Sequence, residues 1–366
     1  MRRFQGLVAI AVLVLTLLAP VLTLAQASPP TPSVGAASEG VDLASLKDYM
    51  VDNAAIMRGG TTEVLAFAQS YYDLASTVNF DYQALWDQHG AELQPQLIAA
   101  RTAWTDRASA HYELNEGLVA GIPSLVYYDL LLDAGVSGAE DPVNALDVDV
   151  TLPDGRVLDR PGSFFHSLTE PTLWGTTPEF TGLQIDMNSD GQMTLGEALP
   201  DANILLGGAQ ALDTGAADLV TAIAAWQPTL DDTFTALVVM IPTMQGYFND
   251  WKLSPSVLGT ASEQGNFVAN SRLIDVLGIL GGLDVAYDIV QPLINGHNSE
   301  MAIQIRTGLD DVIGFVQTIH DQEVAGMTFS PEQADLLGAQ LQVQADDVAG
   351  QIAQAAALVG VTIQTV

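Results

Sequence analysis

The chain has 366 residues, a formal net charge of −33 at pH 7 and no cysteine. Such a charge repels nucleic acid and anionic lipid and concentrates cations. The lack of cysteine excludes disulfides, thiolate metal ligands and a lipoprotein-type anchor, so stability must come from packing.

The N-terminus reads as an export signal. Met1-Arg2-Arg3 supplies a positive start, Leu7 to Leu24 is a nearly unbroken apolar run, and Ala25-Gln26-Ala27 is a small-x-small cleavage site. Cleavage after Ala27 would leave a periplasmic or extracellular chain. The run is also long enough for an uncleaved membrane anchor, but the cleavage site and the proline-rich residues 28–33 favour removal. No second run suggests a membrane span, so the mature chain is expected not to span one. Residues 28–40 form a Pro/Ser/Gly/Ala linker.

From Val41 the apolar period becomes helical. Tyr49, Ile56, Val64, Phe67, Tyr71 and Leu74 mark one long helix over 42–75. Leu97, Trp104, Ala108, Tyr112, Leu118, Ile122 and Leu125 mark a second over 94–132, kinked or ended by Pro123. Residues 135–205 break the pattern as an insertion. Within it, residues 148–152 and 156–158 flank an Asp154-Gly155 turn and predict a short hairpin. Further helices are expected over 209–226, 229–251, 270–294, 299–322 and 331–358. Thr229 and Ser330-Pro331-Glu332-Gln333 read as helix starts.

The loop from Asp186 to Glu197 fits an EF-hand calcium loop position by position. Asp186, Asn188 and Asp190 stand at one, three and five, and Gly191 at the sharp turn. Gln192 offers a carbonyl at seven, Thr194 stands at nine, and Glu197 can close the site with two oxygens at twelve. Its setting departs from a full EF-hand. Met193 stands where a β-branched residue is usual, the segment before the loop has one turn of helical potential, and there is no partner loop. The expectation is a static calcium staple, with an acidic surface turn as the alternative.

A second metal candidate lies on the helices. His111-Tyr112-Glu113-Leu114-Asn115-Glu116 places Glu113 and Glu116 on one face beside the apolar stripe. His166 and Glu170 stand four apart, next to Leu173-Trp174-Gly175. Carboxylates and a His/Glu pair on facing helices are a common way to build a metal site in a bundle. Pro171 disfavours helical geometry at Glu170, so Thr169 could instead cap a helix and leave His166 outside it.

Phe165, His166, Glu170, Leu173, Trp174 and Gly175 match the hallmark of the imelysin family, and the chain resembles that family, including its EfeO-type iron-uptake proteins. One extra residue separates the histidine from the glutamate. Ser271-Arg272-Leu273-Ile274-Asp275 with Gly282, then Phe329-Ser330-Pro331 and a final helix, follow in the family's order. The resemblance implies an all-α fold of two four-helix bundles: a first over 41–134 plus 163–175, and a second over 209–358. It also implies a site on the first bundle for iron or another transition-metal ion. His166 and Glu170 carry over to that site from the motif, Glu113 or Glu116 from the acidic stretch, and Glu63 is a candidate fourth ligand.

The expected function is an exported metal-binding protein that assists iron acquisition beside envelope iron-transport components, with a structural calcium site. The alternatives are an envelope structural or ligand-binding protein that keeps the fold without the transition-metal site, and a metallopeptidase. The last lacks His-Glu-x-x-His, Gly-x-Ser-x-Gly and a cysteine nucleophile.

Overall fold

In the computed structural model residues 40–366 are described; the expected signal over 1–27 and nearly all of the linker lie outside them. Helix α1 (Leu43–Thr77) starts where the Asp42 carboxylate accepts the Ser45 N–H at 3.2 Å. Helix α2 (Tyr82–Ala103) is capped by Asp81 and begins well before Gln94, because Pro95 is carried inside it. The chain then passes through a π-helical segment, Trp104–Ser109, into α3 (Ala110–Val119). The break around Pro123 separates α3 from α4 (Val126–Leu132).

The expected hairpin is β1 (Val150–Thr151) paired antiparallel with β2 (Val157–Leu158), and Gly155 takes φ +87° at its turn. A second π-helical turn, Phe164–Thr169, leads into α5 (Glu170–Trp174), which stops at Gly175 in the left-handed region. Strands β3 (Thr181–Gln184) and β4 (Ala198–Pro200) pair antiparallel around the acidic loop.

Helix α6 (Ala202–Ala225) starts seven residues ahead of the expected position, with Asp201 as its cap. The Leu-Leu-Gly-Gly stretch that hides this start is buried on every side, so it shows no amphipathic period. Pro242 divides the next expected helix into α7 (Leu230–Met240) and α8 (Met244–Leu253). Then come α9 (Pro255–Leu258), α10 (Arg272–His297), α11 (Ser299–Val324) and α12 (Pro331–Val359), the last opened by the reciprocal Ser330/Gln333 capping box.

The all-α class expected from the sequence is the class found. Helix α6 lies along α1 rather than with the later helices, so the chain returns to the first group after the insertion before entering the second. The two groups meet where α3 packs on α10, and their buried apolar side chains form one continuous core.

That junction requires missing side chains. A Cβ at Gly278 of α10 would stand 2.7 Å from the Glu113 Cβ, and one at Gly282 would strike the Leu114 carbonyl oxygen. Gly281, on the next face, meets only Leu114 Cδ2 at 3.8 Å. Gly282→Ala should therefore destabilise the protein by about 1–3 kcal/mol through overpacking. Gly281→Ala should raise stability by up to about 1 kcal/mol through helix propensity. Urea unfolding of the two variants gives opposite shifts of midpoint if the close approach is real.

Candidate metal centre

The centre lies at this junction. Helix α3 contributes Glu113 and Glu116, α4 and its cap contribute Asp129 and Asp133, the second π turn contributes His166, and α5 contributes Glu170. Helix α10 adds Arg272 and Asp275. All eight side chains are buried.

The local geometry of His166 explains the extra residue in the motif. Ser163 caps the turn, its hydroxyl accepting the N–H groups of His166 and Ser167 at 3.1 and 3.2 Å. A π turn holds one residue more than an α turn and commonly marks a functional site. It takes in the additional residue and still brings His166 Nδ1 to 2.8 Å from Glu170 Oε2. Pro171 then occupies the first turn of α5, where its missing N–H costs nothing. Helical geometry therefore holds at Glu170, and His166 is inside the helical segment. The Thr169 hydroxyl does not cap; it donates to the Phe164 carbonyl at 2.8 Å and accepts the Trp104 indole N–H at 2.9 Å.

Glu170 is an organiser rather than an open ligand. Its Oε1 accepts the N–H groups of Val268 and Ala269 at 2.7 and 2.8 Å, and its Oε2 accepts that of Phe267 at 2.8 Å. With His166 the carboxylate has four donors, which fills its acceptor sites. Nδ1 must therefore carry a proton, and Nε2 is the nitrogen turned into the centre. The loop so held puts Phe267, at φ +54°, between two partners. Its ring lies 4.3 Å from the His166 ring and 3.8 Å from the Arg272 guanidinium carbon. A cavity of about 550 Å³, lined by Arg160, Ser167, Pro171, Gly265 and Asn266, reaches His166 from the other side.

Several inward atoms have no partner. Both Glu113 oxygens, Glu116 Oε2, Asp133 Oδ1 and His166 Nε2 are buried without a hydrogen bond. His166 Nε2 and Asp133 Oδ1 are 2.9 Å apart, an ion-pair distance, although their geometry falls short of a hydrogen bond. Two donors facing one cation take up such an arrangement, since metal bonds of about 2.1 Å at a right angle set their donors roughly 3 Å apart. One donor atom each from Glu113, Asp133 and His166 lie within 4.8 Å of one another, and the same holds for Glu116, Asp129 and Asp133. Orphaned buried carboxylates are rare and costly in folded proteins. An imidazole with carboxylates suits iron, manganese or zinc, so the residues fit a metal ion.

The remaining polar contacts are made around the rim. Tyr112 donates to Asp129 Oδ1 at 2.8 Å, and the Tyr247 hydroxyl donates to Glu116 Oε1. Arg272 binds Asp275 at 2.7 Å. Burial, reinforced by neighbouring carboxylates, pushes Glu113 and Asp129 well above the usual carboxylate range and Glu116 up to about 7. Burial also opposes ionisation of Asp133, but His166 and Arg272 outweigh it and hold Asp133 low. Burial disfavours the His166 cation, but Asp133 and Glu170 raise it to about 10.

Of the residues picked out in the sequence, Glu113, Glu116, His166 and Glu170 come together here. Glu63 does not: it is exposed and pairs with Arg107 at the surface. His111 lies on another face of α3, with Nδ1 2.9 Å from Asn53 Oδ1. Asp129, Asp133, Arg272 and Asp275 were not singled out as site residues. Two aspartates four apart in the apolar Tyr127–Asp133 stretch were the available signal.

The acidic loop is separate from this centre. Gly191 takes φ +85°, and Asp186 accepts the Asp190 and Gly191 N–H groups at 3.2 and 2.8 Å. Glu197 folds back over the loop, accepting the N–H groups of Met187 at 3.2 Å and Thr194 at 2.7 Å.

Helices on facing elements that direct carboxylates and one imidazole into a buried centre define a helical-bundle protein of the carboxylate-rich kind. The imelysin (peptidase M75) family model matches residues 165–357, more than half of the chain, and the chain belongs to that family. No curated protein matches it. The match begins at Phe165, so the carboxylates of α3 and α4 come from outside the matched segment.

The pKa directions set a pH dependence for the metal-free protein. Between the ordinary carboxylate value and about 7 the folded centre keeps protons that the unfolded chain releases, so stability falls as pH rises. His166 acts in the same direction: its contribution is full below its ordinary value of 6.5 and is lost as pH rises through about 10. With a chelator present, the melting temperature should fall from pH 5 to pH 8, and Glu116→Gln should flatten that slope. A slope unchanged in Glu116→Gln would remove Glu116 as a source.

Proposed function

We propose that the protein is an exported metal-binding member of the imelysin family, of the EfeO type, which takes up a transition-metal ion, iron being the leading cargo. The observation that carries the reading is the set of unpartnered donors aimed at one another: His166 Nε2, the Glu113 carboxylate and Asp133 Oδ1. These would hold the ion, Glu116 would stand beside them, and Glu170 would fix the imidazole from behind. The net charge of −33 draws cations toward the surface. Delivery to envelope iron-transport components is the role that such a cargo protein would have. Among the described residues no helix is long and apolar enough to cross a membrane, which is compatible with release from the exporting membrane. Export is checked by sequencing the N-terminus of protein recovered outside the cytoplasm, which should begin at Ser28.

The acidic loop is read as a calcium staple. Its sequence fits the twelve-residue pattern, and Glu197 already reaches back across the loop. A structural centre balanced by protons and Arg272 is the second reading, favoured by the readiness of His166 to stay protonated between Asp133 and Glu170.

Calorimetry on chelator-treated protein separates these readings. Calcium should bind the native chain and fail to bind Glu197→Gln. Manganese(II), added in saturating calcium, should then bind the native chain and Glu63→Gln equally, and fail to bind His166→Ala. Glu170→Gln, which loosens the imidazole and the 267–269 loop without removing one of the proposed ligands, should weaken binding about 10–100-fold. Affinity should decline as pH falls, because protons compete for the same donors. Binding of calcium alone would leave the second reading standing.

A further inference from the structure

The buried donors divide into two groups that share one residue. Glu113, Asp133 and His166 form the first; Glu116, Asp129 and Asp133 form the second. We infer that the centre holds two divalent cations bridged by the Asp133 carboxylate, the second ion being bound by Glu116 and Asp129 on the side away from His166. This deepens the metal-binding reading above and rests on it.

Three observations support the second position. Glu116 is almost wholly buried; Tyr247 satisfies its Oε1, while Oε2 points inward with no partner. Asp129 is held in place because the Tyr112 hydroxyl donates to its Oδ1, which orients the carboxylate toward Glu116 and Asp133. Asp133 ends α4 one helical turn beyond Asp129, so both aspartates lie on one face of that helix.

The charge of the ionised carboxylates agrees with the two donor groups. Glu170 is compensated by three amide N–H groups and His166, and Asp275 by Arg272. That leaves Glu113, Glu116 and Asp129 buried with no ion-pair partner, and Asp133 facing only the imidazole that it shares with Glu170. In their ionised forms the four match the charge of two divalent ions, which would displace the protons that the metal-free centre keeps. Uncompensated charge at this depth is expensive. A carboxylate has two oxygens and can serve one ion with each, so Asp133 suits the shared position.

The test counts manganese(II) per chain by elemental analysis after equilibrium dialysis in saturating calcium, which keeps the surface loop occupied. Two ions per native chain are expected. Asp129→Asn, which keeps its shape and its tyrosine partner, should bind one. The electron paramagnetic resonance spectrum should be broadened by coupling between neighbouring ions in the native protein, and should return to an isolated six-line pattern in Asp129→Asn. One ion per native chain with an uncoupled spectrum would overturn the second site while leaving the metal-binding proposal intact. No ion at all would overturn the proposal itself.

Discussion

The Glu170 carboxylate is the contact on which the rest of the centre depends. It joins three parts of the chain that are remote in sequence: the π turn carrying His166, the loop at 267–269, and, through that loop, the start of α10. Charge-assisted hydrogen bonds of this kind are about twice as strong as neutral ones, and four converge on one side chain. They fix the proton on Nδ1, turn Nε2 inward and hold Phe267 in a backbone conformation that a bulky residue seldom adopts. Arg272 then stacks on the far face of the Phe267 ring and binds Asp275. Removing the Glu170 charge would release the imidazole, the loop and the guanidinium together.

The centre also needs two helices to approach more closely than ordinary side chains permit. Glycines at 278 and 282 of α10 let α3 settle against it, which sinks Glu113 below the surface. Burial of that depth is what makes the carboxylates costly to ionise. In water the same residues would be ordinary surface charges. The glycines therefore set the electrostatics of the site through packing, Gly278 lying directly against Glu113.

Much of this was legible in the sequence, for definite reasons. A long helix such as α1 announces itself by period, α7 and α12 by their caps, and the hairpin by its Asp-Gly turn. His166, Glu170, Glu113 and Glu116 could be picked out because polar residues stood among apolar neighbours at helical spacing. Helix α6 hid its start because burial on all sides erases the period. Asp129 and Asp133 were missed because their spacing in an apolar stretch is a weak sign, and their place in the centre depends on how α4 turns back after Pro123. Glu63 was a guess from position along α1, and the face it occupies is the solvent-exposed one. The π turn could not be read at all, since only the fold distinguishes a misplaced motif residue from one absorbed by a wider turn.

The acidic loop and the buried centre are linked through one residue. Arg101 of α2 donates to the Leu173 carbonyl at the end of α5, through Nε at 2.9 Å and Nη2 at 2.6 Å, and to the Gly196 carbonyl beside Glu197 at 2.7 Å. Its guanidinium also lies 5.7 Å from the Trp174 ring centroid. The carbonyl it holds on one side belongs to the short helix that carries Glu170, and on the other to the residue before the loop's closing glutamate. Gln94 adds a bond from the same helix to the Met187 carbonyl at 3.1 Å. A hairpin and a single arginine thus do for this loop what flanking helices do in an EF-hand: they fix its ends. The same α2 side chain that holds the loop also holds the end of α5, so the loop's shape and the motif's position are set by shared contacts on α2.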